Sequence, residues 1–109
     1  MTQNEIVDYL SANSLNVNVC VGEIEDTNGK DYIFLDYIDD VLIGSDDRGC
    51  YQTHIQITIA TRDFENRKTL VSYVKEKFNV SVAYEKSDEF EYYIARCECG
   101  VIMNGEQSN

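Results

Sequence analysis

The stretch 49–78 does most to limit what this chain can fold into, because two different periodicities meet inside it with no loop between them. In its first half Tyr51, Thr53, Ile55, Ile57, Ile59 and Thr61 fall on alternate positions, with Gln52, His54, Gln56, Thr58 and Ala60 between them. Successive side chains of an extended backbone point to opposite faces. This period of two, rich in β-branched residues, therefore predicts a long strand with one apolar and one polar face. After Thr61 and Arg62 the period changes, and Phe64, Arg67, Leu70, Val71, Val74 and Phe78 keep helical spacing. Asp63 is placed to cap that helix. Asp63 and Glu65 near its start and Lys75 and Lys77 near its end follow the order the helix dipole favours. A strand that turns directly into an amphipathic helix sends the helix back across its own sheet. The two apolar stripes should meet there.

The remaining elements read in the same way. Thr2 and Glu5 form a capping box opening a short helix through about Ala12, whose apolar stripe is Ile6, Val7 and Leu10. Asn13 and Ser14 stop it. Val17, Val19 and Val21 alternate with Asn16, Asn18 and Cys20 as a first strand, and Asn28-Gly29 signals a turn. The second strand runs from Asp31 to about Asp39. Ile33, Leu35 and Tyr37 lie on one face and Tyr32, Phe34 and Ile38 on the other, so it is either central in the sheet or covered by a partner molecule. Beyond it, the pairs Asp39-Asp40 and Asp46-Asp47 bracket Val41, Leu42 and Ile43. This segment reads either as a hairpin tip or projecting loop, or as a continuation of the strand that completes the core. After the helix, Val80, Val82 and Tyr84 mark a strand, and a last one runs from Phe90 to about Met103, with Gly100 as a candidate bulge. The expectation is one α+β domain over residues 1–103, a mostly antiparallel sheet in the order α-β-β-β-α-β-β with helices packed on it. Residues 104–109 read as a disordered polar tail.

Charge is the second constraint. The 109 residues carry a formal net charge of −11. Residues 1–47 hold eleven acids and one base, whereas residues 48–109 hold nine acids and eight bases. A surface built from the first half repels phosphate backbones, because nucleic-acid binding rests on clustered Lys and Arg. Such a surface serves solubility, lets DNA pass without sticking, or binds a basic partner. No apolar run approaches the roughly 18–20 residues a membrane span needs. The opening MTQNEIVDYL has neither the basic region nor the apolar run of a signal peptide, so a cytoplasmic product is expected.

No catalytic or cofactor constellation emerges. Cys97-Glu98-Cys99 has C-x-C spacing inside a strand, unlike the C-x₂₋₄-C that opens most zinc sites, and Cys20 and Cys50 do not complete a set. Buried structural thiols are the expectation. His54 is the sole histidine, and no Ser or Cys nucleophile has a partnering base. A non-enzymatic protein without a cofactor follows.

The succession of elements resembles the small tail-terminator and tail-to-head joining proteins of long-tailed bacteriophages, of the minor tail protein U type. The resemblance spans nearly the whole chain. It is carried by the strand Tyr51-Gln52-Thr53-His54-Ile55-Gln56-Ile57 and the strand-to-helix turn Arg62-Asp63-Phe64-Glu65-Asn66 with Leu70 and Val74. The closing strand Tyr92-Tyr93-Ile94-Ala95-Arg96 adds to it. The resemblance implies a structural virion protein that forms a hexameric ring on the head-proximal end of the tail tube. The ring would contact the tail tube protein and a head-completion or connector protein, and DNA would pass through it without specific binding. Candidate interface or lumen residues are Tyr32, Phe34, Asp39, Asp40, Val41, Leu42, Ile43, Asp46 and Asp47. The alternative is an acidic regulatory or DNA-mimic protein whose carboxylates imitate phosphates.

Overall fold

The computed structural model describes residues 1–22, 29–42, 51–87 and 91–103. The elements follow as α1 (Gln3–Ser11), β1 (Asn18–Val21), β2 (Tyr32–Leu42), β3 (Tyr51–Thr61), α2 (Phe64–Lys75), β4 (Ser81–Ser87) and β5 (Tyr92–Met103). The class is α+β. The tail expected at 104–109 lies outside the described residues.

The five strands form one sheet in the lateral order β1-β2-β3-β5-β4, which puts β3 at its centre. This lateral order is not the order along the chain. Strand β5 is antiparallel to both β3 and β4, so β3 and β4 run the same way with β5 inserted between them. Helix α2 carries the chain across that gap, a split β-α-β arrangement.

The expected mostly antiparallel sheet is corrected to a mixed one, because β1 pairs with β2 in parallel. The Asn-Gly signal pointed to a tight turn, but it does not fold β2 back against β1. Parallel pairing requires the chain to return outside the sheet before re-entering it; residues 23–28, which link the two strands, lie outside the described residues. The pairing sets Val19 beside Ile33 and Val21 beside Leu35, keeping the apolar residues of both strands on one face. The Gly22 N–H then donates to the Leu35 carbonyl at 2.9 Å. At the far side of the return, Gly29 has φ +74°, and a Cβ there would stand 2.9 Å from Arg62 Nη1. A side chain at this position would meet both backbone strain and a charged neighbour.

Two smaller expectations also change. Pairing of β3 with β5 runs without a register shift through His54 and Gly100, so Gly100 is not a bulge. The irregularity lies in β2 instead, between Tyr37 and Asp39, where Ile38 is the extra residue and stands 52% exposed.

Both helices pack on one face of the sheet. Ile55, Ile57 and Ile59 of β3 form one buried cluster with Leu70, Val71, Val74 and Phe78, joined by Ile33, Leu35, Ala95, Cys97 and Cys99 from the flanking strands. Asp63 caps α2, its Oδ1 accepting from the N–H groups of Glu65 and Asn66 at 2.7 and 3.2 Å. Thr2 caps α1 by accepting from the Glu5 N–H at 3.2 Å, and Ile6 and Leu10 complete the core. The helices clasp one another through Tyr9 and Tyr73. Their rings stack 4.3 Å apart, and each hydroxyl donates to the other residue's carbonyl at 2.6 Å. Such a reciprocal pair fixes both the distance and the rotation of α1 against α2.

Asn13 ends α1 and is itself buried. Its amide nitrogen donates to the carbonyls of Leu10 and Val17, at 2.9 and 3.0 Å. Its oxygen accepts from the N–H groups of Leu15 and Val17, at 3.1 and 2.9 Å. One side chain thus replaces the partners that the helix end and the turn would otherwise lack.

Candidate functional site

The residues expected to form an interface fall into two groups. Tyr32 and Phe34 alternate along β2 with the buried Ile33 and Leu35, so they point away from the helices. They are half-buried, and neither belongs to the core cluster. Strand β2 is an interior strand, between β1 and β3, and it also carries apolar residues on the face that no described helix covers. There Phe34 is paired in register with Thr58 and Tyr32 with Ala60. Tyr92 meets Tyr32 edge-on at 5.7 Å and donates its hydroxyl to the Lys30 carbonyl at 2.8 Å.

The second group lies further along the hairpin. Asp39, Asp40, Val41 and Leu42 are not part of a loop. They belong to β2 and pair with His54, Thr53, Gln52 and Tyr51. Of the two readings of this segment, the strand continuation holds as far as Leu42 and the projecting loop does not. The ladder continues because β3 offers a full complement of backbone partners there. Ile43, Asp46 and Asp47 lie outside the described residues.

The structure also assembles a cluster that sequence reasoning missed. Arg67 belongs to the helical stripe by spacing, yet it does not enter the core. Its guanidinium carbon lies 4.8 Å from the ring centre of Tyr84, 5.0 Å from that of Phe64 and 5.6 Å from that of Tyr93. Nη1 donates to the Ile94 carbonyl at 3.3 Å and, more weakly, to that of Glu85 at 3.4 Å. Phe64 and Tyr93 meet edge-on at 5.7 Å. Lys68 stands over Phe64 at 6.0 Å and Lys86 over Tyr93 at 5.3 Å. Phe64 and Tyr84 remain 46% and 54% exposed, so the rings face solvent around a cation already in place. The one local signal was the Phe64–Arg67 spacing, which puts the two side chains on adjacent turns. The pairing of Tyr84 with Ala95 that brings in the third ring is long-range.

Neighbouring ion pairs interleave acids with these bases. Arg62 Nη2 lies 3.1 Å from Glu91, Lys68 4.0 Å from Glu65, and Arg96 Nη2 2.6 Å from Glu85. All are exposed, so each adds little to stability. His54 projects from the outer face of β3 and is exposed.

The cysteines have a structural setting. Cys97 and Cys99 both enter the core, as their shared face in a strand requires. Burial pushes the Cys97 thiol from its ordinary 9.0 up to about 11, opposed by nearby Lys75 and reinforced by Cys99. Burial raises Cys99 as well. These thiols are neutral packing groups at physiological pH, not nucleophiles. The shift has a consequence for stability. An unfolded chain releases the Cys97 proton near pH 9, whereas the folded chain holds it until about pH 11. Stability should be fully present below pH 9 and fall by about 1–3 kcal/mol through that window. Urea titrations across the window in wild type and Cys97→Val measure it; a wild-type slope that the variant reproduces unchanged assigns the loss to other groups.

Compared with known proteins, the sequence matches no family model and shows no significant similarity to a curated protein. No helix among the described residues is long and apolar enough to cross a membrane.

Proposed function

We propose that this chain is a structural, non-enzymatic ring subunit of a phage tail terminator, closing the head-proximal end of a tail tube and offering the surface for head attachment. One observation carries the reading: among the described residues, only one side of the sheet is layered by helices. Both helices pack on the face of Ile55, Ile57 and Ile59. The opposite face, bearing half-buried Tyr32 and Phe34 and exposed Ile38 and Ile102, is not covered by either helix. Apolar groups left half in water favour association, and a ring subunit needs surface for a neighbour on each side. The resemblance drawn from the order of elements points to the same assembly.

The partners in this reading are further copies of the chain, the tail tube protein and a head-completion protein. DNA passes through the ring, and the excess of carboxylates in residues 1–47 repels its phosphates rather than binding them. The skewed charge also favours a second reading, a monomeric acidic protein that occupies the nucleic-acid site of a basic partner.

Sedimentation over a wide concentration range, with negative-stain electron microscopy of the heaviest species, separates the two. The ring reading expects closed hexamers with a central hole, formed alone or on tail tubes. A chain that stays monomeric throughout, and binds a basic protein in a salt-dependent manner, would establish the second reading.

A further inference from the structure

We infer that the Phe64, Arg67, Tyr84 and Tyr93 cluster, with Lys68 and Lys86 at its margin, is the docking surface for the acidic α1 side of a second copy of this chain. The inference rests on the ring reading and names the contact that would build it.

Exposed aromatic rings around an arginine are the composition of an interface hot spot. Here the rings are held before any partner arrives. Arg67 sits against three of them and donates to the Ile94 carbonyl, so little side-chain freedom remains to be lost on binding.

Charge selects the occupant. Lys86 lies over Tyr93 and forms no ion pair among the described residues. Across the molecule, Glu5 and Asp8 are exposed on α1, and neither forms an ion pair among the described residues. They belong to the half of the chain with eleven acids and one base. A second copy therefore supplies the complementary charge that the cluster lacks. Nucleic acid is a poorer fit, because Glu65, Glu85 and Glu91 stand among the bases and Arg67 is already engaged by the rings.

Placement makes the contact repeat. Helix α1 packs against β1, one edge of the sheet, and the cluster lies over β4, the other edge. Joining opposite edges is a head-to-tail contact that leaves both surfaces free at the ends. Such a contact propagates, and it closes into a ring where the rotation between neighbours divides a full turn.

The test uses charge reversal on each surface. Lys68→Glu/Lys86→Glu makes the cluster acidic, and Glu5→Lys/Asp8→Lys makes the α1 side basic. Either variant alone sets like charges together and should weaken self-association roughly tenfold or more. An equimolar mixture of the two should recover wild-type association, because each contact again joins opposite signs. Phe64→Ala, which changes no charge, should weaken association on its own, and circular dichroism of every variant confirms folding.

Wild-type assembly that neither reversal disturbs, or a mixture that fails to recover, overturns this contact and leaves the ring reading standing. A dimer that follows the swap pattern supports the contact and overturns the ring. A wild-type chain that never associates overturns both. Retention of a single-stranded DNA probe by wild type and its loss in Lys68→Glu/Lys86→Glu would assign the cluster to nucleic acid and overturn the second-copy contact.

Discussion

Replacing Ile57 by alanine should lower the unfolding free energy by about 2–5 kcal/mol, the range for deleting a branched aliphatic side chain from a packed core. Ile57 is fully buried on the central strand. It lies between Leu35 on β2 and Cys97 on β5, under Leu70 and Val74 of α2 in the same cluster. Rigid strands on both sides and a helix above leave the site little room to collapse, so most of the cavity should persist. Val74→Ala removes less volume and should cost less, about 1–3 kcal/mol by the same reasoning. Ile38→Ala is the control, because Ile38 stands 52% exposed at the β2 irregularity. Its change should stay within about 0.5 kcal/mol. Urea unfolding at equilibrium measures all three. Equal effects for Ile57 and Ile38 would contradict the register on which the core depends.

Asn13→Ala should cost about 2–4 kcal/mol, more than an ordinary loop substitution. The amide lies 3% exposed, and its four hydrogen bonds hold the end of α1 against the entry to β1. Alanine leaves two N–H groups and two carbonyls without that partner, and buried backbone groups without partners are expensive. Asn13→Asp gives a sharper test. The introduced carboxylate keeps both acceptor bonds but turns a negative charge towards the Leu10 and Val17 carbonyls. Its folded-state pKa should rise above the ordinary carboxylate value. That variant should therefore approach wild-type stability at acid pH, where a protonated carboxyl can donate, and lose stability as pH rises. Unfolding curves at pH 4 and pH 7 decide it. A penalty for Asn13→Asp that does not change with pH, or an alanine variant within about 0.5 kcal/mol of wild type, would show that the turn is held by other groups.

The elements themselves were legible because each is written in a local period. Alternation in Tyr51–Thr61 marked β3 to the residue, and the Asp63 cap marked the start of α2. Meeting of the Ile55, Ile57 and Ile59 stripe with Leu70, Val74 and Phe78 also followed from the sequence. With no loop between strand and helix, the apolar faces had one surface in common. The apolar residues on both faces of β2 left two readings, a central strand or one covered by a partner, and its place between β1 and β3 meets the first.

What the local signals could not carry was the pairing between distant segments. A turn signal at Asn28-Gly29 describes four residues, and it is silent on whether the next strand enters beside β1 in the same or the opposite direction. That choice belongs to the packing of Val19 and Val21 alongside Ile33 and Leu35. Gly100, with no side chain, invites a bulge, yet the extra residue is Ile38, because register is set by two strands together. The extension of β2 through Asp39, Asp40, Val41 and Leu42 has the same origin: local signals leave loop and strand both open until β3 supplies the ladder.

The aromatic cluster shows the limit most plainly. Phe64 and Arg67 are neighbours on one helix, but Tyr84 and Tyr93 reach them only because β4 and β5 pair beneath α2. The sequence by itself determined the elements, the caps and the inward stripe, since backbone geometry repeats over a few residues and side-chain periodicity reports it. Only the tertiary structure decided the parallel entry of β2, the place of the bulge and the caging of Arg67, because each is a contact between segments whose meeting no local period encodes.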